Sequence, residues 1–247
     1  MTLVRVALLP TAMHPDPTGL CAVVDVIRAS TTLTIIAAAH DSKIYVASNI
    51  QTARAAAESI GQQAVLAGER GGVAPAGFSY GNSPLEFANV DLTNHTIVLS
   101  TTNGTHAIER WASSRRTFIG CLRNAGAVAG RLLSEPTTTS ITIVCAGRAG
   151  DLAIDDVYTA GAIVSHIVDA GAEVTLDETA LTALHINHAY QDSEQALSTS
   201  RSAQLLKPVG HFDDVAFCAE EDVSIVVPEV GHEDGIHVWP DADIDLS

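Results

Sequence analysis

Lysine is almost absent: Lys43 and Lys207 are the only two in 247 residues, so arginine carries nearly all the positive charge. Acids outnumber bases 29 to 13, for a net charge of −16. So few cations leave no clustered bases to neutralise a nucleic-acid backbone, which argues against nucleic acid as a partner. Aromatic residues make up only 4% of the chain, so Ala, Val, Ile and Leu must supply the packing, which favours helices laid on a sheet over an all-β shell. The four cysteines, Cys21, Cys121, Cys145 and Cys218, form no Cys-x-x-Cys pair. That removes zinc-ribbon and disulfide-framework readings and leaves buried thiols in a reducing compartment. No apolar run approaches the roughly 20 residues of a membrane span, and residues 1–10 lack the basic start and apolar stretch of a signal peptide. The expected location is the cytoplasm, with no membrane partner. Neither Gly-x-Gly-x-x-Gly nor Gly-x-x-x-x-Gly-Lys-Ser/Thr occurs, so there is no dinucleotide fingerprint and no P-loop.

What is present is a globular chain, 47% apolar, in which short β-branched runs alternate with Ala-rich stretches. Strands are expected at Leu3–Leu9, Ala22–Ile27, Lys43–Ala47, Ala64–Ala67, Thr96–Ser100, Thr117–Gly120, Ser140–Cys145 and Ser224–Pro228. Helices are expected at Ser30–His40, from an N-cap at Ser48 through Ile60, and at Asn103–Ala112, Asn124–Leu133 and Asp155–Ala170. Asp177 to Glu221 reads as mostly helical, and a polar tail containing Gly231–Gly235 follows. The fold class is therefore α/β, a mixed or largely parallel sheet flanked by helices. No hinge-like linker interrupts the chain, so one domain spanning 1–247 is expected, with residues 175–222 as a candidate helical subdomain. The apolar helices after Ala180 make a homo-oligomer the default expectation.

The chemically unusual residues fall where strands end. Asp25 and Arg28, then Ser30 and Thr31, follow one strand. Glu69, Arg70, Gly71 and Gly72 follow another. Thr102, Asn103, Gly104 and Thr105 follow a third, and Arg123-Asn124 a fourth. Arg148 lies in the loop after Ser140–Cys145, and Asp155-Asp156 opens the next helix. Ligands of open α/β sheets bind outside the carboxyl ends of strands, so these loops can share one mouth. Small hydroxyl residues and glycines ahead of a helix let backbone N–H groups approach an anion, and arginine grips phosphate or carboxylate in a fork. Asp25, Glu69, Asp155 and Asp156 are hard oxygen donors suited to Mg²⁺ bridging to a phosphate. Arginines and carboxylates together point to metal-assisted phosphoryl chemistry on a small anionic ester, with Asp25, Arg28, Asp155 and Asp156 as catalytic candidates. The residues leave open whether Asp25 attacks phosphorus or only holds the metal. A lyase or isomerase acting on a phosphorylated carboxylic acid, or a binding protein for one, would use the same mouth. His185-x-x-His188 has helical metal-ligand spacing but lacks the glutamate of the zinc-protease pattern, and reads as an exposed helix face.

The stretches VVDVIRASTT (Val23–Thr32), GERGG (Gly68–Gly72), GFSYGNSPLEF (Gly77–Phe87), STTNGT (Ser100–Thr105) and RNAGAVA (Arg123–Ala129) together resemble the 2-phosphosulfolactate phosphatase family. So do CAGRAG…DD…AGAIV (Cys145–Val164) and SAQLL…FDDVAFCAEEDVSIVVP (Ser202–Pro228). The resemblance implies an α/β fold particular to that family and an Mg²⁺-dependent cytosolic phosphatase. It implies conversion of 2-phosphosulfolactate to sulfolactate and phosphate, a step toward coenzyme M. It also adds Asn82 and Ser83, from the GNSP run, to the expected substrate contacts. Two features depart from the family's pattern. Asp155 stands where Glu is usual, and Arg148 and Asp151 are additions of this chain, so the pocket is expected to be locally altered there.

Overall fold

The computed structural model describes residues 1–39, 43–135, 139–231 and 236–240. In chain order the elements begin with β1 (Thr2–Ala7), β2 (Leu20–Val24), α1 (Ala29–Ala39), β3 (Ile44–Val46), α2 (Ile50–Ile60) and β4 (Ala64–Gly68). There follow α3 (Pro84–Phe87), β5 (Thr96–Ser100), α4 (Gly104–Trp111), β6 (Arg116–Gly120), α5 (Ala125–Leu133), β7 (Ser140–Cys145) and α6 (Ile154–Asp169). The remainder is β8 (Val174–Leu176), α7 (Glu178–Ala189), α8 (Ser193–Ser198), α9 (Arg201–Leu206), α10 (Asp213–Cys218), β9 (Pro228–Gly231) and β10 (His237–Pro240). Short 3₁₀ turns precede α5 and follow α9.

The strands form one mixed, largely parallel sheet in the order β4-β5-β3-β10-β9-β6-β2-β7-β1-β8. β4, β5 and β3 make one parallel block, and β6, β2, β7, β1 and β8 make another. The antiparallel ribbon β9–β10 joins them, with β10 pairing β3 and β9 pairing β6. β2 and β7 are buried at every position, as expected of parallel strands covered on both faces. On one face α5, α6 and the later helices close a core that includes Val157, Ile163, Ala180, Leu197 and Val215. On the other, α1 rests on β6 and the ribbon while α4 touches both β2 and β3. Since α1 follows β2 of one block and α4 follows β5 of the other, their mutual contact brings two strand-end loops together.

Local differences from the sequence reading have simple causes. The cap of α2 is Asn49, whose Oδ1 accepts from the Thr52 N–H at 2.9 Å, not Ser48. β2 stops at Val24, which leaves Asp25 just beyond the sheet. The expected strand Ser224–Pro228 begins only at Pro228; before it, the Ser224 N–H is taken by the carbonyl of Arg123 at 2.8 Å. β8 and β10 were not expected: one is three residues long, the other sits in the polar tail, of which residues 232–235 lie outside the described residues. The stretch after Asp177 is divided by the caps Asp177, Asp192 and Ser200. Its Ala180, Ala183, Ala196 and Leu197 are buried in this chain's own core. All four cysteines are free and buried. Among the described residues no helix is long and apolar enough to cross a membrane.

The junction between the blocks rests on charge as well as on backbone pairing. Arg116 grips both Glu229 oxygens at 2.6 Å from the start of β6, and also reaches Glu135 at 2.6 Å, where Arg115 and Arg131 join it. Burial would push the Glu135 carboxyl up, but the Arg116 hydrogen bond and the charges of Arg116, Arg131 and Arg115 outweigh it and hold Glu135 below the usual range. A carboxyl depressed in the folded state stabilises fully above its unfolded pKa of about 4.3 and loses that contribution as pH falls through the folded value. Glu135→Gln is therefore expected to lower stability near neutrality, by about 1 kcal/mol for such a network. The gap from the wild type should close in acid. Urea unfolding from pH 7 down to pH 3 checks this; a gap constant with pH would contradict it.

Candidate functional site

A cavity of ≈ 300 Å³ opens where loops from both blocks meet. Asp25 and Arg28 reach it from β2, Glu69, Gly71 and Gly72 from β4, and Thr102 and Asn103 from β5. Gly147 and Arg148 come from β7, and Asp155 and Asp156 from the first turn of α6. Ile27, Leu205, Leu206, Pro208 and Val209 supply an apolar wall.

Asp25 lies at the junction of two helix starts. The Ser30 hydroxyl accepts its N–H at 3.2 Å, and its carbonyl accepts the Ser30 N–H at 2.9 Å. Its carboxylate receives the backbone N–H groups of Ala29 and Gly104, the first residues of α1 and α4, where helix dipoles favour negative charge. Burial nonetheless pushes the Asp25 carboxyl up to about 8, with Glu69 and Asp155 adding to it. Asp155 is driven up to about 6, again by burial, although Ser202 donates to it at 3.1 Å and Arg148 is near.

The other two acids are already occupied. Asp156 accepts the Val26 N–H at 3.0 Å and the Gly147 N–H at 2.9 Å, one on each oxygen, and so stitches the end of β2 to that of β7. Burial, with Asp155 and Asp25 nearby, pushes its carboxyl well above the ordinary range. Glu69 accepts the Thr102 N–H at 2.7 Å and the Gly72 N–H at 2.9 Å. The loop amides that the sequence offers to a phosphate are thus filled by this glutamate.

Arg28 is 3% exposed. It donates to Asp214 Oδ2 at 2.8 Å and to the Gly72 carbonyl at 2.9 Å, while Ser83 donates to Asp214 Oδ1 at 2.6 Å. Asn82 lines the cavity at 3% exposure, and its Oδ1 is buried without a hydrogen-bond partner. Arg148 lines it too.

Seven expected contacts do not line the cavity. Arg70 turns to the carbonyls of Glu69 and Ser100, at 2.6 and 3.0 Å, and to the Ser100 hydroxyl. Thr31 donates to the Val26 carbonyl, Thr105 bonds back to Thr101, and Ser83 caps α3. Ser30 and Gly104 act through Asp25. Asn124 is fully buried, accepting from Cys121 and donating to the carbonyls of Ile119 and Val226. Asp214, Ser202 and the wall residues Leu205, Leu206, Pro208 and Val209 are not among the expected site residues, although all lie in the family-resembling stretch Ser202–Pro228. A lone acid or serine in a helical stretch carries no local signal.

A cation at this cavity would have to be held by few carboxylates. Among the described residues no three His, Cys, Asp or Glu side chains converge as a closed metal cage. Asp155 meets the Ser202 hydroxyl at the cavity, and Asp25, with two helix amides on a carboxylate that can accept about four bonds, keeps lone pairs for a cation. Mg²⁺ needs no cage: it is commonly held by one or two carboxylates, with waters and substrate oxygens completing the shell. Burial is the main cause of the raised Asp25 and Asp155 carboxyls, and a bound cation would favour their charged form.

Residues 6–233 match the family model of 2-phosphosulpholactate phosphatase. The chain is 40% identical over 207 residues to a probable 2-phosphosulfolactate phosphatase of Thermus thermophilus, covering 83% of this chain and 85% of that one. It is 35% identical over 225 residues to a protein of the same name from Deinococcus radiodurans, covering 91% of each. A third, from Pseudothermotoga lettingae, is 33% identical over 220 residues, 87% of this chain and 92% of its own. The chain belongs to the 2-phosphosulpholactate phosphatase family.

Proposed function

We propose that the protein is an Mg²⁺-dependent phosphatase that hydrolyses the phosphate monoester of a small anionic acid, with 2-phosphosulfolactate as its substrate and sulfolactate and phosphate as products. The observation that carries this reading is one cavity holding two buried carboxylates of raised pKa, Asp25 and Asp155, beside two guanidinium groups, Arg28 and Arg148. Held by Asp25 and Asp155, Mg²⁺ would supply charge neutralisation on the phosphate oxygens and an activated water. Asp25 is oriented by the first amides of α1 and α4. Arg28, fixed by Asp214 and Gly72, presents its remaining donors to the phosphoryl group. Ile27, Leu206 and Val209 keep bulk water from the reacting end, where fixed charges act more strongly. The sheet and late helices share one core, which supports a single domain, and four free buried thiols support a cytoplasmic location.

The test is phosphate release from 2-phosphosulfolactate beside phospholactate, phosphoglycerate and an aryl phosphate, with Mg²⁺ or EDTA. Asp25→Asn is the paired variant. Release from the sulfonate ester should vanish with EDTA and drop by about 10²–10³-fold in the variant, the scale of a lost charge-stabilising group. Release from the other esters alone would reassign the substrate. No release from any would sink the reading.

A further inference from the structure

We propose that Arg148 is the specificity-determining residue of this site. It receives the acid group of the ester, a carboxylate or sulfonate, while the phosphoryl group lies at the Asp25 end. This rests on the phosphatase reading above and adds to it the residue that reads the rest of the substrate.

The two cavity guanidinium groups are in different states. Arg28 is buried and spends donors on Asp214 and the Gly72 carbonyl. Arg148 is half-buried, and among the described residues its guanidinium has no hydrogen-bond or ion-pair partner; its charge is felt by Asp155 without direct contact. A planar fork of donors left open at a cavity wall suits one kind of guest, a carboxylate or sulfonate that can accept two bonds at once.

The backbone beneath Arg148 is fixed. Its N–H donates to the Asp151 carbonyl at 2.8 Å, and the Asp151 N–H returns to the Arg148 carbonyl at 2.9 Å. The next amide, of Ala149, donates to Asn103 Oδ1 at 3.0 Å, and the preceding one, of Gly147, to Asp156. Ala149 holds a left-handed φ of 51° to make the turn. The guanidinium is therefore carried on a preformed turn, which reduces the ordering cost of binding.

Arg148 also stands at a boundary. It lines the main cavity and an adjoining recess of ≈ 130 Å³ whose other walls include Asp151, Asp155, Arg201 and Ser202. An ester with its phosphoryl group beside Asp25 extends toward this boundary. The carboxylates of Asp151 and Asp155 would repel a second anion there, so its acceptance depends on Arg148, with the exposed Arg201 across the recess.

The experiment compares Arg148→Gln and Arg148→Lys with the wild type. It reads the ratio of kcat/KM for an acid-bearing ester (2-phosphosulfolactate or phosphoglycerate) to that for an aryl phosphate without an acid group. The ratio should fall about 10- to 100-fold in R148Q, the worth of a charge-assisted hydrogen bond, mainly through KM. Lysine should fall between. An unchanged ratio overturns the proposal, whether both substrates lose together, which would place Arg148 at the phosphoryl group, or neither loses. Thermal stabilisation by phosphate-free sulfolactate separates this from failure of the phosphatase reading. Stabilisation of the wild type but not of R148Q supports the subsite even if no ester is hydrolysed. Equal stabilisation of both proteins, or none of the wild type, overturns it.

Discussion

Gly104→Ala is expected to cost both turnover and stability, although it adds one methyl group at the start of a helix. A Cβ at Gly104 would lie 2.6 Å from the Ala29 Cβ, 2.7 Å from Asp25 Oδ2 and 3.2 Å from the Asp25 Cβ. The Ala29 Cβ cannot rotate away, because it is fixed to the backbone of α1. α4 must then retreat from α1, and the Gly104 N–H retreats from the Asp25 carboxylate with it. Overpacking of this kind costs about 1–3 kcal/mol. Displacing a reacting group by ~1 Å costs roughly 10²-fold in rate. The control is Gly130→Ala in α5, where nothing lies within 4 Å of the new Cβ and alanine should stabilise by about 0.4–1 kcal/mol. Urea unfolding and phosphate release on both variants check the pair. Wild-type kinetics in Gly104→Ala would show that the contact of α1 with α4 does not set Asp25.

That contact marks the limit of what the sequence makes legible. The motif-bearing loops each follow a short apolar strand, and strand carboxyl ends are where α/β sheets bind, so the location of the mouth can be read from residue order alone. Asp25, Glu69, Thr102, Asn103 and Asp155 all arrive there. The two-block sheet cannot be read in this way. It depends on β9–β10, whose strands are four residues each and whose partners, β6 and β3, lie far away in sequence. Nor can the occupancy of each donor be read. Glu69 in the GERGG run has the same chemistry as Asp25, and only folding reveals that Thr102 and Gly72 have taken its two oxygens. Asn124 follows an arginine in a strand-end loop much as Thr102 follows a serine and threonine. Its amide nevertheless serves carbonyls of Ile119 and Val226, the second of them 102 positions away. Asp214 is the converse case. An acid within a helix carries no signal until Arg28, 186 residues earlier, is found against it.

Asp155 and Asp156 show how far adjacent residues can diverge, and they make the second large prediction. Neighbours on a helix point about 100° apart, so although both residues border the cavity, one carboxylate meets Ser202 while the other takes the amides of Val26 and Gly147. Asp156→Ala would strand the N–H groups of Val26 and Gly147, both at buried positions. Each unsatisfied group costs about 1–3 kcal/mol, and together they consume a large part of the 5–15 kcal/mol that holds an ordinary domain folded. Asp156→Ala is therefore expected to fail by unfolding, with a sharply lowered urea midpoint. Asp156→Asn keeps one carbonyl acceptor and should lose about half as much. Asp155→Ala leaves the Val26 and Gly147 amides paired and removes, besides the Ser202 contact, the acceptor of its own first-turn N–H. It should leave the midpoint within about 1 kcal/mol of the wild type while suppressing phosphate release and its dependence on Mg²⁺. The opposite pattern, with Asp156→Ala stable but inactive and Asp155→Ala unstable but active, would exchange their roles. Asp156 would then be the carboxylate that serves the ligand, and the stitching of β2 to β7 would not depend on it.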